Sequence, residues 1–225
     1  MDARHGEIGF SSRPMRNGAR HARTRALALT LVTDRRLLPA GRDVASLAAE
    51  AAAAGVDRVQ VREKDLPDRM LGVLVAAVAA ALAGSATRLV VNGRPDLAEL
   101  HGAAGVQLPE EGLAIAGVRR AFPGLAVGAS CHSVDAALRA EDAGATWIVL
   151  GPIFATPGKE RRALGLPLLA EAAARVAIPI HAVGGLRPDN ARQAAEAGAR
   201  GILAIRAFVA QPVAEAVAAF RGHPR

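Results

Sequence analysis

Residues 125–151 read LAVGASCHSVDAALRAEDAGATWIVLG, and this stretch contains one complete repeat of the fold. An apolar run at 125–130 predicts a buried strand, and residues 133–143 have the length and alanine content of a helix. Gly144 suits the left-handed position that ends a helix, and a second apolar run follows at 146–151. Two strands that are apolar on both faces and joined by a helix predict a parallel β–α–β unit.

The same unit recurs along the chain from about Ala26, and triplets ending in glycine (AAG, DAG or EAG) precede several of its strands. The predicted strands are 26–33, 57–62, 87–92, 105–108, 125–130, 146–151, 179–184 and 201–205. The predicted helices are 43–54, 67–83, 95–101, 113–122, 133–143, 166–176, 188–197 and 211–220. Eight strand–helix pairs in the α/β class favour a closed single-domain (β/α)8 TIM barrel over an open doubly wound sheet.

The charge of the chain is concentrated at its start. The 225 residues carry a formal net charge of +7, and residues 1–25 hold six arginines against only Asp2 and Glu7. We predict that residues 1–25 form a short basic, flexible extension and that residues 26–225 form the barrel domain. A transit peptide is the alternative, against which the two acidic residues count.

Composition excludes several classes of protein. Aromatic residues are 3% of the chain and tyrosine is absent, so no stacking platform for nucleic acid is expected. No uncharged apolar run of about 18 residues predicts a membrane span. The single cysteine, Cys131, excludes an internal disulfide and is typical of a reducing compartment, so we predict a cytoplasmic protein. The composition is compatible with a homo-oligomer.

Two cations follow the second predicted strand. In a TIM barrel the chemistry lies at the carboxyl-terminal ends of the strands. Alternation along this strand places Gln60, Arg62 and Lys64 on one face, which points into the barrel or its mouth. Adjacent cations there predict binding of a carboxylate or phosphate. The alternative is that they form structural ion pairs with Glu63 and Asp65.

A histidine follows the fifth predicted strand. His132 occupies a position that TIM barrels give to catalytic groups, and an imidazole can transfer a proton near pH 7. The alternative is a structural histidine. Cys131 faces the opposite way on an extended chain, so a Cys–His nucleophilic pair is not expected. Asn92 and Ser130 also lie at strand ends.

The last two predicted strands end in a pattern that indicates phosphate binding. Gly184 and Gly185 follow the seventh strand, and Ile205 and Arg206 follow the eighth, where barrels commonly bind phosphate through backbone N–H groups. We therefore predict a phosphorylated small-molecule substrate. The long loop after the sixth strand contains one of the two lysines, Lys159, and loops of this size at a barrel mouth are often lids.

Seven segments together resemble the thiamine-phosphate synthase/TenI superfamily of TIM barrels. They are LVTD at 31–34, VQVREK at 59–64, VNGRPDLA at 91–98, GVQLPE at 105–110, GASCHS at 128–133, GPIFATPGK at 151–159 and AVGGLRPDN at 182–190. The resemblance implies one of two activities of thiamine biosynthesis. The synthases join a pyrimidine pyrophosphate to a thiazole phosphate with Mg²⁺, which two aspartates after the third and fourth strands hold. Gly93 and Gly112 stand at those positions here.

Because both metal ligands are missing, the chain resembles the TenI branch of thiazole tautomerases more closely. That branch implies a metal-free isomerase without cofactor, which converts a carboxythiazole phosphate tautomer to its aromatic form with His132 as acid/base. The resemblance and the strand ends together imply two sets of binding residues. Substrate would be bound by Gln60, Arg62, Lys64, Asn92, Ser130, Thr156 and Lys159, and its phosphate by Gly184, Gly185, Ile205 and Arg206.

Two alternatives stay open. The Mg²⁺-dependent synthase is favoured by the loop that carries Thr156 and Lys159, which resembles the pyrophosphate loop of that enzyme. A non-catalytic regulatory or metabolite-binding barrel is the other alternative, because a fold does not determine a function.

Overall fold

The predicted apolar runs become the strands of one closed parallel barrel in the computed structural model, which describes residues 27–156 and 163–222. The eight strands pair in chain order, and β8 closes on β1. They are β1 Ala28–Val32, β2 Arg58–Val61, β3 Arg88–Asn92, β4 Gly105–Leu108, β5 Ala126–Cys131, β6 Trp147–Leu150, β7 Ile180–Val183 and β8 Gly201–Ala204. The (β/α)8 TIM-barrel prediction is confirmed.

Each strand is followed by a helix that covers the outside of the barrel. The helices are α1 Val44–Ala53, α2 Asp68–Ala81, α3 Pro95–Leu100, α4 Ile115–Ala121, α5 Val134–Asp142, α6 Gly165–Arg175, α7 Pro188–Glu196 and α8 Val213–Arg221. Local chemistry sets their ends. The Ser133 hydroxyl accepts a hydrogen bond from the Ala136 N–H at 3.1 Å and begins α5. Gly144 follows the end of that helix with φ +94, a conformation that favours glycine.

The strand register separates two sets of side chains. One large apolar cluster lies between the strands and the helices, whereas a small cluster with Val32, Val90 and Trp147 fills the lumen of the barrel. Gln60 pairs in register with both Val32 and Val90, so its side chain shares their lumen face. This agrees with the alternation predicted for the second strand.

The basic extension predicted at residues 1–25 lies outside the described residues. The described barrel begins at Leu27, one residue after the predicted domain boundary, and its strands differ from the predicted ones by at most two residues at an end. None of the helices in 27–156 and 163–222 is long and apolar enough to cross a membrane.

Candidate active site at the barrel mouth

Arg62 and Lys64 alternate along the chain with two carboxylates, Glu63 and Asp65. Both carboxylates bind Arg35. Arg35 donates to the buried Glu63 through its backbone N–H at 3.1 Å and through Nη1 at 3.2 Å. The same guanidinium donates to Asp65 at 2.7 Å and 2.9 Å, and it lowers the pKa of Asp65 to about 2. Arg35 therefore binds both carboxylates that were weighed as structural partners of Arg62 and Lys64.

A polar cleft opens at the ends of β2 and β3. It forms part of the end of the barrel where the carboxyl-terminal ends of all the strands meet, and we call this end the mouth. Gln60 donates from Nε2 to Oδ1 of Asn92 at 3.3 Å. Because Asn92 accepts there, its own N–H groups are available to a ligand in the mouth. The cleft is lined by Glu63, Lys64, Leu66, Asp68, Leu71, Asn92, Gly93 and Arg94.

His132 lies at the mouth with a partner that the sequence did not indicate. Its Nδ1 lies 2.5 Å from Oε2 of Glu110, the second residue after β4, and its side chain is 60% exposed. The adjacent Cys131 is buried, and burial raises the pKa of its thiol to about 12. Cys131 is thus a packing residue, as the alternation along the strand predicted, and His132 stands in open solvent rather than in an enclosed pocket.

The two loops predicted to bind phosphate follow β7 and β8. Gly184 and Gly185 follow β7 with φ +93 and +63, and a short 3-10 helix at Arg206–Phe208 follows β8 with Ile205 at its N-cap. A loop pair with a short extra helix is the usual phosphate site of this fold. A Cβ at Gly185 would lie 2.7 Å from the Cβ of Phe154, so packing against the loop after β6 also requires this glycine.

The loop after β6 is described up to Thr156, whose hydroxyl lies 3.5 Å from the carbonyl oxygen of Phe154. Residues 157–162, including the predicted ligand Lys159, lie outside the described residues. The described part of the loop is tied to β7, since the Ile153 N–H donates to the Val183 carbonyl at 2.8 Å.

The mouth does not fit a magnesium ion held by two aspartates. Gly93 has φ +71, and a Cβ at Gly112 would lie 2.9 Å from the carbonyl oxygen of Pro109. The neighbouring carboxylates are engaged, because Asp68 and Asp96 each bind Arg94 at 2.6 Å. Within residues 27–156 and 163–222 there is no cluster of three His, Cys, Asp or Glu that could hold a metal.

A second polar group crosses the lumen and was not predicted. Trp147 donates from Nε1 to Oε1 of Gln107 at 2.8 Å, and Gln107 donates from Nε2 to Oγ of Ser130 at 3.0 Å. Below them, at the floor of the lumen, the Arg58 guanidinium lies 5.6 Å from the ring centroid of Trp147 and its Nη1 lies 3.3 Å from Nδ1 of His181. Gln107 is a polar residue in an otherwise apolar strand. This exception was the signal in the sequence that could have indicated a polar group in the lumen.

Burial determines the charge state of this floor. His181 is 3% exposed, and desolvation, with a smaller contribution from the Arg58 charge, lowers its pKa to about 3. The imidazole is therefore neutral at physiological pH and accepts the hydrogen bond that Arg58 donates.

Comparisons with known proteins agree with this architecture, first at the level of the fold. A 3-hexulose-6-phosphate synthase, 19% identical, superposes with a TM-score of 0.63 over 87% of this chain and 99% of that chain, which is a likeness of fold alone. A thiamine phosphate pyrophosphorylase from Pyrococcus furiosus is closer, with 32% identity and a TM-score of 0.79 over 87% of this chain and 94% of that one.

The family follows from the sequence comparison. The family model described as thiamine monophosphate synthase matches residues 29–208, and the chain belongs to this family. A thiamine-phosphate synthase of Methanoculleus marisnigri is 38% identical over 186 residues, which are 81% of this chain and 88% of the relative. One from Thermus thermophilus is 39% identical over 170 residues, or 75% and 82% of the two chains.

The predicted tautomerase branch is wrong. Relatives between 35% and 39% identical are named thiamine-phosphate synthase, which favours the synthase over the isomerase. The error came from the weight placed on Gly93 and Gly112. Magnesium retains several waters and binds substrate phosphates as well as carboxylates, so two positions decide less than similarity over the whole barrel.

Proposed function

We propose that this chain is a thiamine-phosphate synthase, a transferase that joins a pyrimidine pyrophosphate to a thiazole phosphate and releases pyrophosphate. The observation that carries the proposal is the match of residues 29–208 to the family, together with relatives that bear this name. The cytoplasmic location and the absence of a nucleic-acid partner stay predictions from the sequence.

The mouth offers a separate place for each anionic group of such substrates. Arg62 and Lys64, with the amide of Asn92 and the hydroxyl of Ser130, would bind the pyrophosphate. The loops with Gly184 and Gly185 after β7, and the 3-10 helix that follows Ile205, would hold the thiazole phosphate with their backbone N–H groups. Binding both partners in one mouth brings the reacting atoms together and lowers the entropic part of the barrier.

His132 takes a different role in this proposal from the acid/base of an isomerase. Its Nδ1 is held by Glu110, which orients the ring and leaves Nε2 outside this hydrogen bond. We assign it to substrate binding, because joining the two halves displaces pyrophosphate without moving a proton between ring positions. Thr156 and Lys159 belong to the same binding proposal through the loop after β6.

Magnesium, which the resemblance implies for the synthase, finds no carboxylate pair at the two glycine positions. We propose that the pyrophosphate itself brings any such ion, and that Arg62 and Lys64 neutralise much of the remaining charge.

The test is an assay of the full chain with both substrates, in which thiamine phosphate and released pyrophosphate are measured at several Mg²⁺ concentrations. Formation of both products in equal amounts supports the synthase. Arg192→Ala serves as the matched control variant, because Arg192 pairs with Glu196 on the outer helix α7. Its activity should equal that of the unmodified protein.

The result that overturns the proposal is the absence of thiamine phosphate at every Mg²⁺ concentration. Tight binding of thiazole phosphate in that protein, measured by calorimetry, would then identify a metabolite-binding barrel without turnover.

A further inference from the structure

We propose that Gln107 and Trp147 are positioning residues that hold the Ser130 hydroxyl as a hydrogen-bond donor toward an anionic ligand at the mouth. The inference rests on the proposed function only in taking that ligand to be the pyrophosphate group of the substrate. Neither Gln107 nor Trp147 reaches the mouth itself, since they are only 1% and 8% exposed.

The direction of the hydrogen bonds starts at the indole. An indole N–H donates and cannot accept, so the atom of Gln107 that meets it at 2.8 Å is the amide oxygen. This determines the orientation of the amide group. The NH2 end must then face Ser130, whose Oγ lies 3.0 Å away.

The same logic determines the state of the serine. Because the NH2 group of Gln107 can only donate, the Ser130 oxygen accepts this hydrogen bond. The hydroxyl proton of Ser130 takes no part in it. The O–H of Ser130 therefore donates elsewhere. Ser130 lies one residue before the end of β5 and is partly exposed, so the mouth is the side on which it meets a ligand. A hydroxyl held as a donor suits an anion that only accepts.

The surrounding backbone leaves room for this arrangement because two neighbouring positions are glycine. A Cβ at Gly128 would lie 2.1 Å from Cε2 of Trp147 and 2.3 Å from Oε1 of Gln107. A Cβ at Gly105 would lie 2.9 Å from the far edge of the same indole. The two glycines thus make the space that the Trp147–Gln107 bond occupies, while Arg58 lies 5.6 Å from the centroid of the ring.

Such a hydrogen-bond chain gives a ligand-binding group its direction before the ligand arrives. A hydroxyl that must reorient on binding loses part of the binding free energy of its hydrogen bond to the ligand. A hydroxyl that already points toward the ligand does not have this loss. We therefore expect Trp147 and Gln107 to affect affinity only through Ser130. That dependence distinguishes a positioning role from a merely structural one.

The experiment is a double-mutant cycle on the full chain, with inorganic pyrophosphate as the probe and calorimetric affinity as the readout. Ser130→Ala should weaken binding roughly tenfold, as loss of a hydrogen bond to a charged group does. Trp147→Phe should weaken it several-fold (~3–10, the neutral hydrogen-bond range) when Ser130 is present and leave it unchanged in the Ser130→Ala background. Equal losses in both backgrounds, or no loss in either, would overturn the proposal.

Gln107→Glu is the second variant, for the case that Trp147→Phe does not fold. The introduced carboxylate still accepts from the indole but also accepts the Ser130 proton, and so turns the hydroxyl away from the mouth. We expect a loss similar to that of Ser130→Ala, and affinity equal to that of the unmodified protein would contradict the proposal.

The unmodified chain offers a second readout, because Trp147 is its single tryptophan. Saturating pyrophosphate should change the emission of Trp147 in the unmodified protein and leave it unchanged in Ser130→Ala. No change in the unmodified protein, or no affinity for pyrophosphate at millimolar concentration, would overturn the inference. Every readout is binding rather than turnover, so failure of the synthase assay would leave this result intact.

Discussion

The floor and the mouth of the lumen both present an arginine from β2, yet the two are held in opposite ways. Arg58 begins the strand and packs against neutral groups, the ring of Trp147 and the imidazole of His181. Arg62 is four residues further along the chain, directly after β2 ends. By alternation it faces the same side as Arg58, but it lies at the mouth. The same residue type on one face of one strand thus serves stability at one end and the proposed ligand binding at the other.

The difference teaches how a barrel separates its two tasks. At the floor, the ring of Trp147 and the imidazole of His181 contact the half-buried Arg58, because a cation partly removed from water needs partners within the protein. A cation at the strand ends keeps access to solvent and to a ligand. Substitutions at the floor should therefore change stability and those at the mouth should change activity.

The largest effect is expected at the mouth. Arg62→Ala should lower kcat/KM of the proposed synthase reaction about 100-fold, because it removes a charge that we propose binds the pyrophosphate, and should leave the unfolding midpoint nearly unchanged. Steady-state kinetics and urea unfolding measure the two. Arg192→Ala on α7 is the control, and a fall in stability as large as the fall in activity would contradict the separation.

The next effect is the acid sensitivity of the floor. The folded pKa of His181 is about 3 against an ordinary value of 6.5, so below pH 6.5 the unfolded chain binds a proton that the folded chain does not. Stability is therefore lost as the pH falls from 6.5 toward 3, by about 2–3 kcal/mol at about pH 4.5. Between pH 7 and pH 4.5, the free energy of unfolding measured with urea should therefore fall by that much less in His181→Gln than in the unmodified protein. An identical pH dependence in the two proteins would sink the prediction.

A smaller effect is expected when the floor cation is removed. Arg58→Met keeps the aliphatic length but loses the contact with Trp147 and the hydrogen bond to His181, at about 1–2 kcal/mol of unfolding free energy. Synthase activity should stay within about twofold of the unmodified protein, a change of only ~0.4 kcal/mol in the barrier. Arg88→Met is the matched control, since Arg88 occupies the paired position of β3 and is exposed. Equal destabilisation by both substitutions would argue against a specific role for Arg58.

The smallest effect concerns Gly93 at the mouth. Gly93→Asp adds a carboxylate where φ is +71, at a backbone cost of ~1 kcal/mol, and should raise the affinity for Mn²⁺ in the presence of pyrophosphate a few-fold. Electron paramagnetic resonance measures this binding directly. Gly93→Asn has the same shape and strain without the charge, and an equal gain in that variant would show that charge is not the cause.

Much of the barrel was predictable from the chain because its signals are local. Apolar runs of strand length, alanine-rich helices and glycines such as Gly144 depend on neighbours in sequence, and each predicted strand was found. The mouth was partly predictable for the same reason, since Gln60, Arg62 and Ser130 were placed by counting along strands. The partners were not predictable: Arg35 binds Glu63 and Glu110 binds His132 across different strands.

The activity shows the limit of single positions. Gly93 and Gly112 pointed away from the synthase, while relatives across the whole barrel point toward it. The absence of a metal ligand argues strongly against a metal site only where the protein supplies all the ligands. Magnesium is also coordinated by water and by substrate phosphate.

The sequence by itself determined the repeat, the closed barrel and the strand ends on which the mouth is built, because hydrophobic periodicity and helix-ending glycines act over a few residues. Only the tertiary structure decided which polar groups meet inside the lumen. Trp147, Gln107 and Ser130 lie on three neighbouring strands, and their hydrogen bonds depend on the register that closure of the barrel imposes. Register links residues far apart in the chain, so no local pattern contains it.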